Sequence, residues 1–320
     1  MADRVLTRTH GVDVAKAWLD IYTAEDEALT RIGNAPAAID DWLRSLCGPA
    51  RIAVEATSSY HEAFVEQAHA AGHAVYVVDA FRLSRYRDAV GERAKTDRND
   101  ARLVARYLRQ EYHRLCRWQP RDPRQTRLWR LLKRRATLVH TSVRLRQSLA
   151  DLGVLDDEVQ ALIRHCQQLV RRVDRELQAQ AQSLGWQDDV QRSLGIPGVG
   201  RVSSVALVAA FHRHHFRSAD AFVAFLGLDV RVRDSGTFRG RRKLTKKGDP
   251  ELRRLLYNAA MTACRDAYWQ TYYRSLRERG FSGTAAIVAL SRKLVRVCFA
   301  LLQQQADFDP SRRQQSCMAT

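Results

Sequence analysis

The hydrophobic and polar positions near the start of the chain follow two periods, which predicts mixed α and β structure. Apolar and polar residues alternate in THGVDVAKAWLDIYT (9–23), which predicts two short strands around a turn near Lys16. The remaining predicted elements are two buried strands, at 51–56 and 74–78, and three helices, at 34–46, 61–72 and 97–110. The order β-β-α-β-α-β-α indicates an α/β unit with a mixed sheet.

From residue 124 the pattern changes to leucines on alternating three- and four-residue steps. The leucines run from Leu128 to Leu152, and Arg135 and Ser142 occupy two positions where the pattern would have a leucine. The spacing is that of an imperfect heptad repeat. After a break at DLGVLDD (151–157), a similar apolar spacing continues. We therefore predict an antiparallel helical hairpin, partly solvated and basic.

A tight glycine turn lies between two predicted helices in SLGIPGVGRVSSVALVAAF (193–211). In a helix-hairpin-helix, the amides of such a turn hold a backbone phosphate, which would make Gly198 and Gly200 nucleic-acid contacts. An ordinary turn between packed helices has the same pattern, and the residues leave both interpretations open. Two more helices are predicted, at 249–269 and 283–305.

Charge adds a polyanionic partner to this picture. The 320 residues hold 53 Lys and Arg against 35 Asp and Glu, a net charge of +18. Residues 1–100 carry a net −4 and residues 101–320 a net +22. Nucleic acid is favoured over a membrane, because no apolar stretch reaches the roughly 18 residues of a spanning helix. We expect no membrane partner and a cytoplasmic, nucleoid-associated protein without a signal peptide.

The six cysteines stand singly in the sequence. No CxxC pair occurs, which argues against a zinc knuckle or a disulfide framework. We expect reduced thiols that are mostly buried.

Basic residues concentrate in two stretches. Residues 101–146 hold 14 Lys and Arg and only two acids, whereas a merely solvated helix face would carry mixed signs, so a nucleic-acid contact is favoured. The second stretch, DVRVRDSGTFRGRRKLTKKGDPELRR (229–254), reads as a glycine-containing loop up to a helix capped by Asp249 with Pro250 at its first position. The candidate contacts are Arg124, Arg127, Arg130, Lys133, Arg134, Arg135, Arg231, Arg233, Arg239, Arg241, Arg242, Lys243, Lys246 and Lys247.

Four carboxylates are candidates for a metal site. Asp13 lies in the first predicted strand, Glu55 ends a later strand, and Asp97 and Asp100 share one face at a helix start. Four such acids repel one another unless divalent cations compensate, and Mg²⁺ prefers oxygen ligands. Two ions could polarise a scissile phosphate. Each acid could instead be a cap or a surface group, and spacing leaves both interpretations open.

Ser235 lies between glycine and basic residues in the second basic stretch. A hydroxyl in such a place could attack a phosphate if a base, a metal or cations stabilise the developing charge. Taken alone, the residues favour a simpler role in which the loop holds phosphate and the serine only donates a hydrogen bond.

Together these motifs resemble the DEDD transposases of the insertion-sequence-110 family, which are bridge-RNA-guided recombinases. The matching pieces occur in the family's order over nearly the whole chain: GVDVAK, VEATSSYH, KTDRNDARLVARYL, LGIPGVG, FLGLDVRVRDSG and KKGDPELRRLLYNAA. Asp79-Ala80 and Asp249 depart from the Asn-Pro and Asn that members often carry.

The resemblance implies a fold and a domain order. It implies an α/β RNase H-like (RuvC-like) N-terminal domain at 1–118, an α-helical coiled-coil insert at 119–185, a mainly α-helical C-terminal transposase domain at 186–306 and a polar tail at 307–320.

The resemblance also implies a chemistry. It makes Asp13, Glu55, Asp97 and Asp100 a Mg²⁺ site and Ser235 a nucleophile that forms a phosphoserine link to DNA. The implied partners are donor and target DNA, a noncoding bridge RNA and further copies of the chain, in a dimer and in a tetramer on DNA. Two alternatives stay open: a RuvC-like nuclease that uses metal-activated water, and a basic nucleic-acid-binding protein without catalysis.

Overall fold

The computed structural model describes residues 8–56, 59–91, 97–120, 122–231, 234–235, 238–239 and 242–312. The chain divides into two compact units, at 1–121 and 122–320. The predicted separation of a hairpin domain from a C-terminal domain within the second unit stays a prediction.

The first unit is a mixed sheet with helices. Its elements are β1 (Thr9–Val14), β2 (Trp18–Thr23), β3 (Ala28–Gly33), α1 (Pro36–Arg44), β4 (Arg51–Glu55), α2 (Glu62–Ala70), β5 (Ala74–Val78), α3 (Ala80–Ala89) and α4 (Asp97–Glu111). The strands lie in the order β3-β2-β1-β4-β5. β1 pairs antiparallel with β2 and β2 with β3, whereas β1, β4 and β5 run parallel. The predicted α/β class and mixed sheet are confirmed.

Side-chain alternation gives the sheet two buried faces. Val12 and Val54 face a core that includes Ile39 of α1 and Phe64 of α2. Ala53 faces the other side, in a core with residues of α3 and α4. Helices therefore cover both faces, which explains why β4 and β5 are continuous apolar runs.

β3 and α3 were not predicted from the sequence. Five of the six residues of β3 are exposed, because it is an edge strand, so its sequence lacks a buried periodic face. α3 has Leu83 as its only buried residue among those described. Its start is marked by Asp79, whose carboxylate accepts a hydrogen bond from the amide of Arg82. Asp79 thus has a capping role.

The second unit is mainly helical. Its elements are α5 (Pro123–Ser148), α6 (Asp156–Ser183), α7 (Gln187–Leu194), α8 (Arg201–Phe211), α9 (Ala219–Phe225), β6 (Val230–Arg231), β7 (Asp234–Ser235), β8 (Phe238–Arg239), β9 (Lys243–Leu244), α10 (Pro250–Ala263), α11 (Ala267–Glu278) and α12 (Gly283–Gln304). The predicted cap of α10 is confirmed: the Asp249 carboxylate accepts hydrogen bonds from the amides of Glu251 and Leu252.

α5 and α6 form the predicted antiparallel hairpin. Arg124 donates a hydrogen bond to the Ser183 carbonyl at one level, and Arg135 pairs with Asp174 further along. Leu128 and Leu177 belong to the core that includes α8, α10 and α12, so the base of the hairpin is built into this unit. A true coiled coil stays a prediction.

The stretch from 230 to 244 contains paired strands rather than the plain loop that was predicted. Val230 pairs with Leu244, and Ser235 pairs with Phe238, with antiparallel register in both ladders. We call these residues the serine ribbon. The sequence did not predict it because strands of two residues are too short to show an alternation of apolar and polar positions.

The expectation of mostly buried cysteines was wrong for the described residues. Cys298 is buried, and burial raises its pKa to about 12, whereas Cys47 and Cys116 are exposed. Cys317 lies outside the described residues. Among the described helices, none has the length and apolar content needed to cross a membrane.

Candidate acidic face and serine ribbon

Asp13 and Glu55 share one face of the sheet at the ends of neighbouring parallel strands. Gly11 pairs with Ala53 and Val12 with Val54, so Asp13 and Glu55 are one residue further along the two strands. Because Val12 and Val54 face α1 and α2, alternation turns Asp13 and Glu55 to the opposite side. Adjacent strands are about 4.8 Å apart, so the two carboxylates are neighbours.

α4 packs over this face through Gly11. A Cβ atom at Gly11 would lie 2.2 Å from the Ala101 carbonyl oxygen and 2.2 Å from the Ala105 amide nitrogen. Only glycine allows a helix to approach a strand this closely. The contact fixes α4, with Asp97 and Asp100 in its first turn, on the side of the sheet to which Asp13 and Glu55 point.

A third acid of the sheet lies in the same row and was not among the candidates from the sequence. Asp20 on β2 pairs directly with Asp13, so both carboxylates point to the face covered by α4. Asp20 is 2 % exposed and accepts two hydrogen bonds of 2.8 Å from Arg31 on β3. The signal that could have identified it is the cross-strand register, which the sequence does not give.

Arginines balance part of this negative charge. Arg31 compensates Asp20, and the Arg87 guanidinium on α3 donates a hydrogen bond of 2.5 Å to the buried Asp100 carboxylate. Asp13 accepts a hydrogen bond of 3.0 Å from the Val14 amide.

The donor chemistry of this acidic face fits Mg²⁺, because the face presents carboxylate oxygens on a helix and on adjacent strands. Among the side chains that the structure describes, however, no three His, Cys, Asp or Glu residues form a group able to hold a metal ion. The Asp97 side chain lies outside the described residues, and the Asp100 carboxylate is bonded to Arg87. Of the four predicted ligands, the fold therefore places Asp13, Glu55 and Asp100 on one face without gathering their oxygens at one point.

Ser235 lies next to the tip of the serine ribbon, since its pairing with Phe238 leaves only two residues between the strands. The side chains of Ser235 and Arg239, together with Arg233 and Arg241, lie outside the described residues. Arg231, Arg242 and Lys243 near the ribbon's base are exposed, as are Lys246 and Lys247 after it. The ribbon thus carries a hydroxyl residue on a cationic β-hairpin.

Two glycines anchor the base of the ribbon. A Cβ atom at Gly248 would lie 2.3 Å from the Leu226 carbonyl carbon, and one at Gly227, whose φ is +69°, would lie 2.4 Å from the Gly248 amide nitrogen. The Arg253 guanidinium also donates a hydrogen bond of 2.5 Å to the Gly248 carbonyl oxygen. The ribbon therefore begins from a tightly packed junction at the start of α10.

The predicted contacts on α5 differ in their availability. Arg135 is only 14 % exposed and pairs with Asp174, while Arg124 pairs with Asp122 beside the helix start. Arg127 lies 3.8 Å from Glu176. Arg130, Lys133 and Arg134 are exposed. The last group provides the cationic surface of the hairpin.

The two turn glycines have different surroundings. Gly198 has a φ of +92°, and a Cβ atom there would lie 2.5 Å from the Ala263 Cβ atom, so this glycine is needed for helix packing. Gly200 is exposed, has nothing within 4 Å of its Cβ position and immediately precedes α8. The amides at the start of α8 remain the candidate phosphate contact of this turn.

Family models match both units of the chain. A DEDD transposase model of the IS110 type, described as "Transposase", matches residues 10–157. A model described as "Transposase IS116/IS110/IS902 family" matches residues 191–274. The first match includes the acidic face and the second includes the serine ribbon.

Several named proteins are similar to the chain. The pilin gene-inverting protein of Moraxella bovis is 27% identical over 269 residues, 80% of this chain and 81% of that protein. The probable family 20 transposase of Pseudomonas aeruginosa is 30% identical over 50% of this chain and 46% of its own length. The transposase for insertion sequence element IS1111A of Coxiella burnetii is 31% identical over 42% of this chain and 38% of its own length.

Proposed function

Because the chain belongs to the IS110 family of insertion-sequence transposases, which are DNA recombination enzymes, we propose that it cuts and rejoins DNA through a covalent link to Ser235. The observation that carries the proposal is the shared direction of Asp13 and Glu55 toward the helix that bears Asp97 and Asp100. This acidic face lies within the segment that matches the DEDD transposase model. The strand order β3-β2-β1-β4-β5 also supports the predicted RNase H-like, RuvC-like fold.

The first chemical step is a transesterification at phosphorus. The Ser235 oxygen loses its proton and bonds to the scissile phosphate, and the bond from phosphorus to a deoxyribose oxygen breaks. That oxygen takes up a proton and leaves. A hydroxyl at the end of the partner DNA strand then attacks the phosphorus of the phosphoserine. The bond from phosphorus to the Ser235 oxygen breaks, the serine takes up a proton, and the DNA is rejoined. The number of phosphodiester bonds is conserved, so no ATP is required.

The cationic residues of the ribbon neutralise the scissile phosphate. Arg231 and Lys243 in the ribbon and Lys246 just after it are exposed and supply donors for the developing negative charge. Asp13, Glu55, Asp97 and Asp100 would hold Mg²⁺, which stabilises charge on phosphate oxygens when bound. Arg87 holds Asp100 in place through their hydrogen bond.

The acidic face and the serine ribbon belong to different units of the chain. We propose that the acidic face of one copy completes the serine site of another, which requires at least a dimer. Donor and target DNA are chosen by pairing with a noncoding bridge RNA. This part of the proposal rests on the family resemblance, and RNA that copurifies with the protein can be sequenced to test it.

The experiment that tests the covalent link to Ser235 is an adduct assay with full-length protein, DNA carrying the element's ends, the cognate RNA and Mg²⁺. The wild-type protein should form an SDS-resistant protein–DNA species that protease removes. Ser235→Ala should abolish it and leave DNA binding nearly unchanged, because the hydroxyl supplies the covalent bond. Thr237→Ala, which removes the neighbouring hydroxyl of the same ribbon, is the matched control and should retain the adduct.

Chelation of Mg²⁺ should abolish the adduct in the wild-type protein, as should Asp13→Asn, whereas Asp40→Asn on the exposed face of α1 should not. An adduct formed by the alanine protein would exclude Ser235 as the nucleophile. Free 5′-phosphate ends without any adduct would instead support the nuclease alternative, and binding without strand change would support a non-catalytic protein.

DNA inversion is a second outcome of the same chemistry. The similarity to a pilin gene-inverting protein over 80% of this chain favours testing it. A plasmid with two element ends in inverted orientation distinguishes the outcomes, because inversion reverses the intervening segment and transposition moves it.

A further inference from the structure

A cavity of about 450 Å³ lies in the first unit, and none of its described lining residues belongs to the set of acids or to the serine ribbon discussed above. Residues of the β2–β3 hairpin and one side of α4 line it, namely Tyr22, Ala24, Glu27, Arg102, Arg106, Arg109 and Gln110. Its three arginines belong to the basic stretch 101–146, but no residue named individually as a catalytic, metal or nucleic-acid candidate is among the described residues that line it. We call it the arginine cavity.

The three arginines form a stripe that follows from the helical period. In the described part of α4, positions 102, 106, 109 and 110 are exposed, whereas 101, 103–105 and 107–108 are buried in the sheet core. The spacing of four and three residues places Arg102, Arg106 and Arg109 along one side of the helix. At 1.5 Å per residue the stripe is about 10 Å long.

Among the described residues, these guanidinium groups have no ion-pair partner, unlike other surface arginines of this unit. Arg44 pairs with Asp40 and Arg85 with Asp88 on their own helices. Within the described residues, no ion pair involves Arg102, Arg106 or Arg109. A helix face that served only for solubility would carry compensating acids, so this charge is available to an anionic ligand.

The β2–β3 turn forms the opposite wall. Glu27 lies in this turn with a φ of +50° and is the one acid among the described lining residues, whose net charge is therefore +2. Of the described lining residues, Tyr22 is buried and Ala24 is half-buried, whereas the other five carry a charge or a side-chain amide. The cavity therefore suits a polar anion rather than an apolar molecule or a lipid tail.

We infer that the arginine cavity binds the phosphodiester backbone of a nucleic acid. Guanidinium groups match phosphate oxygens with paired hydrogen bonds. Three guanidinium groups spread over about 10 Å are more than one phosphate requires. A polymer with regularly spaced phosphates can contact all three. DNA and RNA share this backbone. The inference does not depend on Ser235 or on any metal, because no described lining residue is Ser235 or one of the acids proposed for metal.

The test is the salt dependence of binding by the full-length protein. The variant Arg102→Gln/Arg106→Gln is compared with wild type on labelled DNA and RNA of one sequence, as duplexes and single strands. Loss of two phosphate contacts should weaken binding about tenfold near 0.1 M salt. It should also reduce the slope of log affinity against log salt by about 1.8 for duplex DNA and about 1.4 for single strands.

The charge-matched control is Arg44→Gln/Arg82→Gln, which removes two exposed arginines of the same unit outside the cavity. Its affinity should change less than the cavity variant's, since it alters only the long-range field. Equal affinities and slopes for the two double variants on every nucleic acid would overturn the inference. A selective loss on DNA or on RNA would support it and identify the ligand.

Glu27→Gln provides a second measurement with the opposite sign. Removing this negative charge from the lining should strengthen binding of the same nucleic acid severalfold, whereas unchanged binding would place the phosphates elsewhere. The adduct assay separates this inference from the proposed function. If Ser235-dependent adducts form normally but the cavity variant has the same salt slope as its control, only the inference about the cavity is refuted. If the salt slope falls as expected but adducts do not depend on Ser235, only the serine mechanism is refuted.

Discussion

At the residue scale, the acidic face shows how backbone position determines the role of a carboxylate. Asp13 and Asp20 are paired residues on adjacent strands, yet Arg31 binds the second through two hydrogen bonds and the sequence gives no sign of this difference. Removing Arg31 would leave a buried charge unpaired, which costs several kcal/mol in general. The fold therefore pairs Asp20 with an arginine directly beside Asp13, one of the acids proposed for metal.

His10 gives the first unit a pH-dependent stability. Burial lowers the pKa of His10 to about 4, against 6.5 in the unfolded chain. The unfolded state therefore takes up a proton first as the pH falls. The contribution of neutral His10 to the free energy of unfolding is complete above about pH 7 and is lost between about pH 6.5 and pH 4. Unfolding free energy should fall by about 2 kcal/mol from pH 7 to pH 5.

Urea unfolding of wild type and His10→Gln at the two pH values checks this prediction. The variant should lose most of the decrease, because glutamine does not titrate. His73, whose pKa burial also lowers, stays in both proteins and keeps part of the dependence. An equal decrease in both proteins would show that His10 is not responsible.

At the element scale, close packing between glycine and backbone fixes the elements that carry the chemistry. Gly11 lets α4 lie against β1, and Gly227 and Gly248 hold the base of the serine ribbon. The sequence pattern predicted β1 from its alternating positions, β4 and β5 from their apolar runs and α4 from its helical pattern. It did not predict the ribbon or β3, whose pairing depends on partners rather than on local hydrophobicity.

Gly248→Ala should disturb the ribbon. Its Cβ atom would meet the Leu226 carbonyl carbon at 2.3 Å, so the backbone must move. Such overpacking costs about 1–3 kcal/mol. We expect a lower melting temperature and reduced adduct formation, measured with the assay above. Gly283→Ala, where nothing lies within 4 Å of the new atom, is the control and should behave as wild type. A wild-type result for Gly248→Ala would show that the ribbon does not depend on this junction.

At the scale of the whole molecule, the α5–α6 hairpin offers a surface for self-association. Its base is packed into the second unit, whereas Val143, Leu162 and Leu169 are 45–50 % exposed further along. Leu162 and Leu169 are seven residues apart and lie on one side of α6. Exposed apolar side chains that recur on a helix face commonly mark an interface between chains. This supports the proposed dimer.

Leu162→Glu/Leu169→Glu should weaken self-association by placing two charges on this surface. Sedimentation velocity over a range of concentrations should show that the dissociation constant of self-association rises at least tenfold. The circular dichroism spectrum should stay unchanged, which shows that the fold is retained. Met261→Glu, at an exposed apolar position on α10, is the control. Unchanged association in the leucine variant would place the interface elsewhere on the chain.

The sequence by itself determined the order and type of the periodic elements, the capped start of α10, the separation of an acidic part from a basic part and the family resemblance that the comparisons confirm. These features are local, since each depends on spacing or composition within a short segment. Only the tertiary structure decided that Asp20 lies beside Asp13, that Arg87 binds Asp100 and that three arginines of α4 face the β2–β3 turn. The reason is physical: strand register and helix packing bring together residues that are far apart along the chain, and local pattern carries no information about which partners meet.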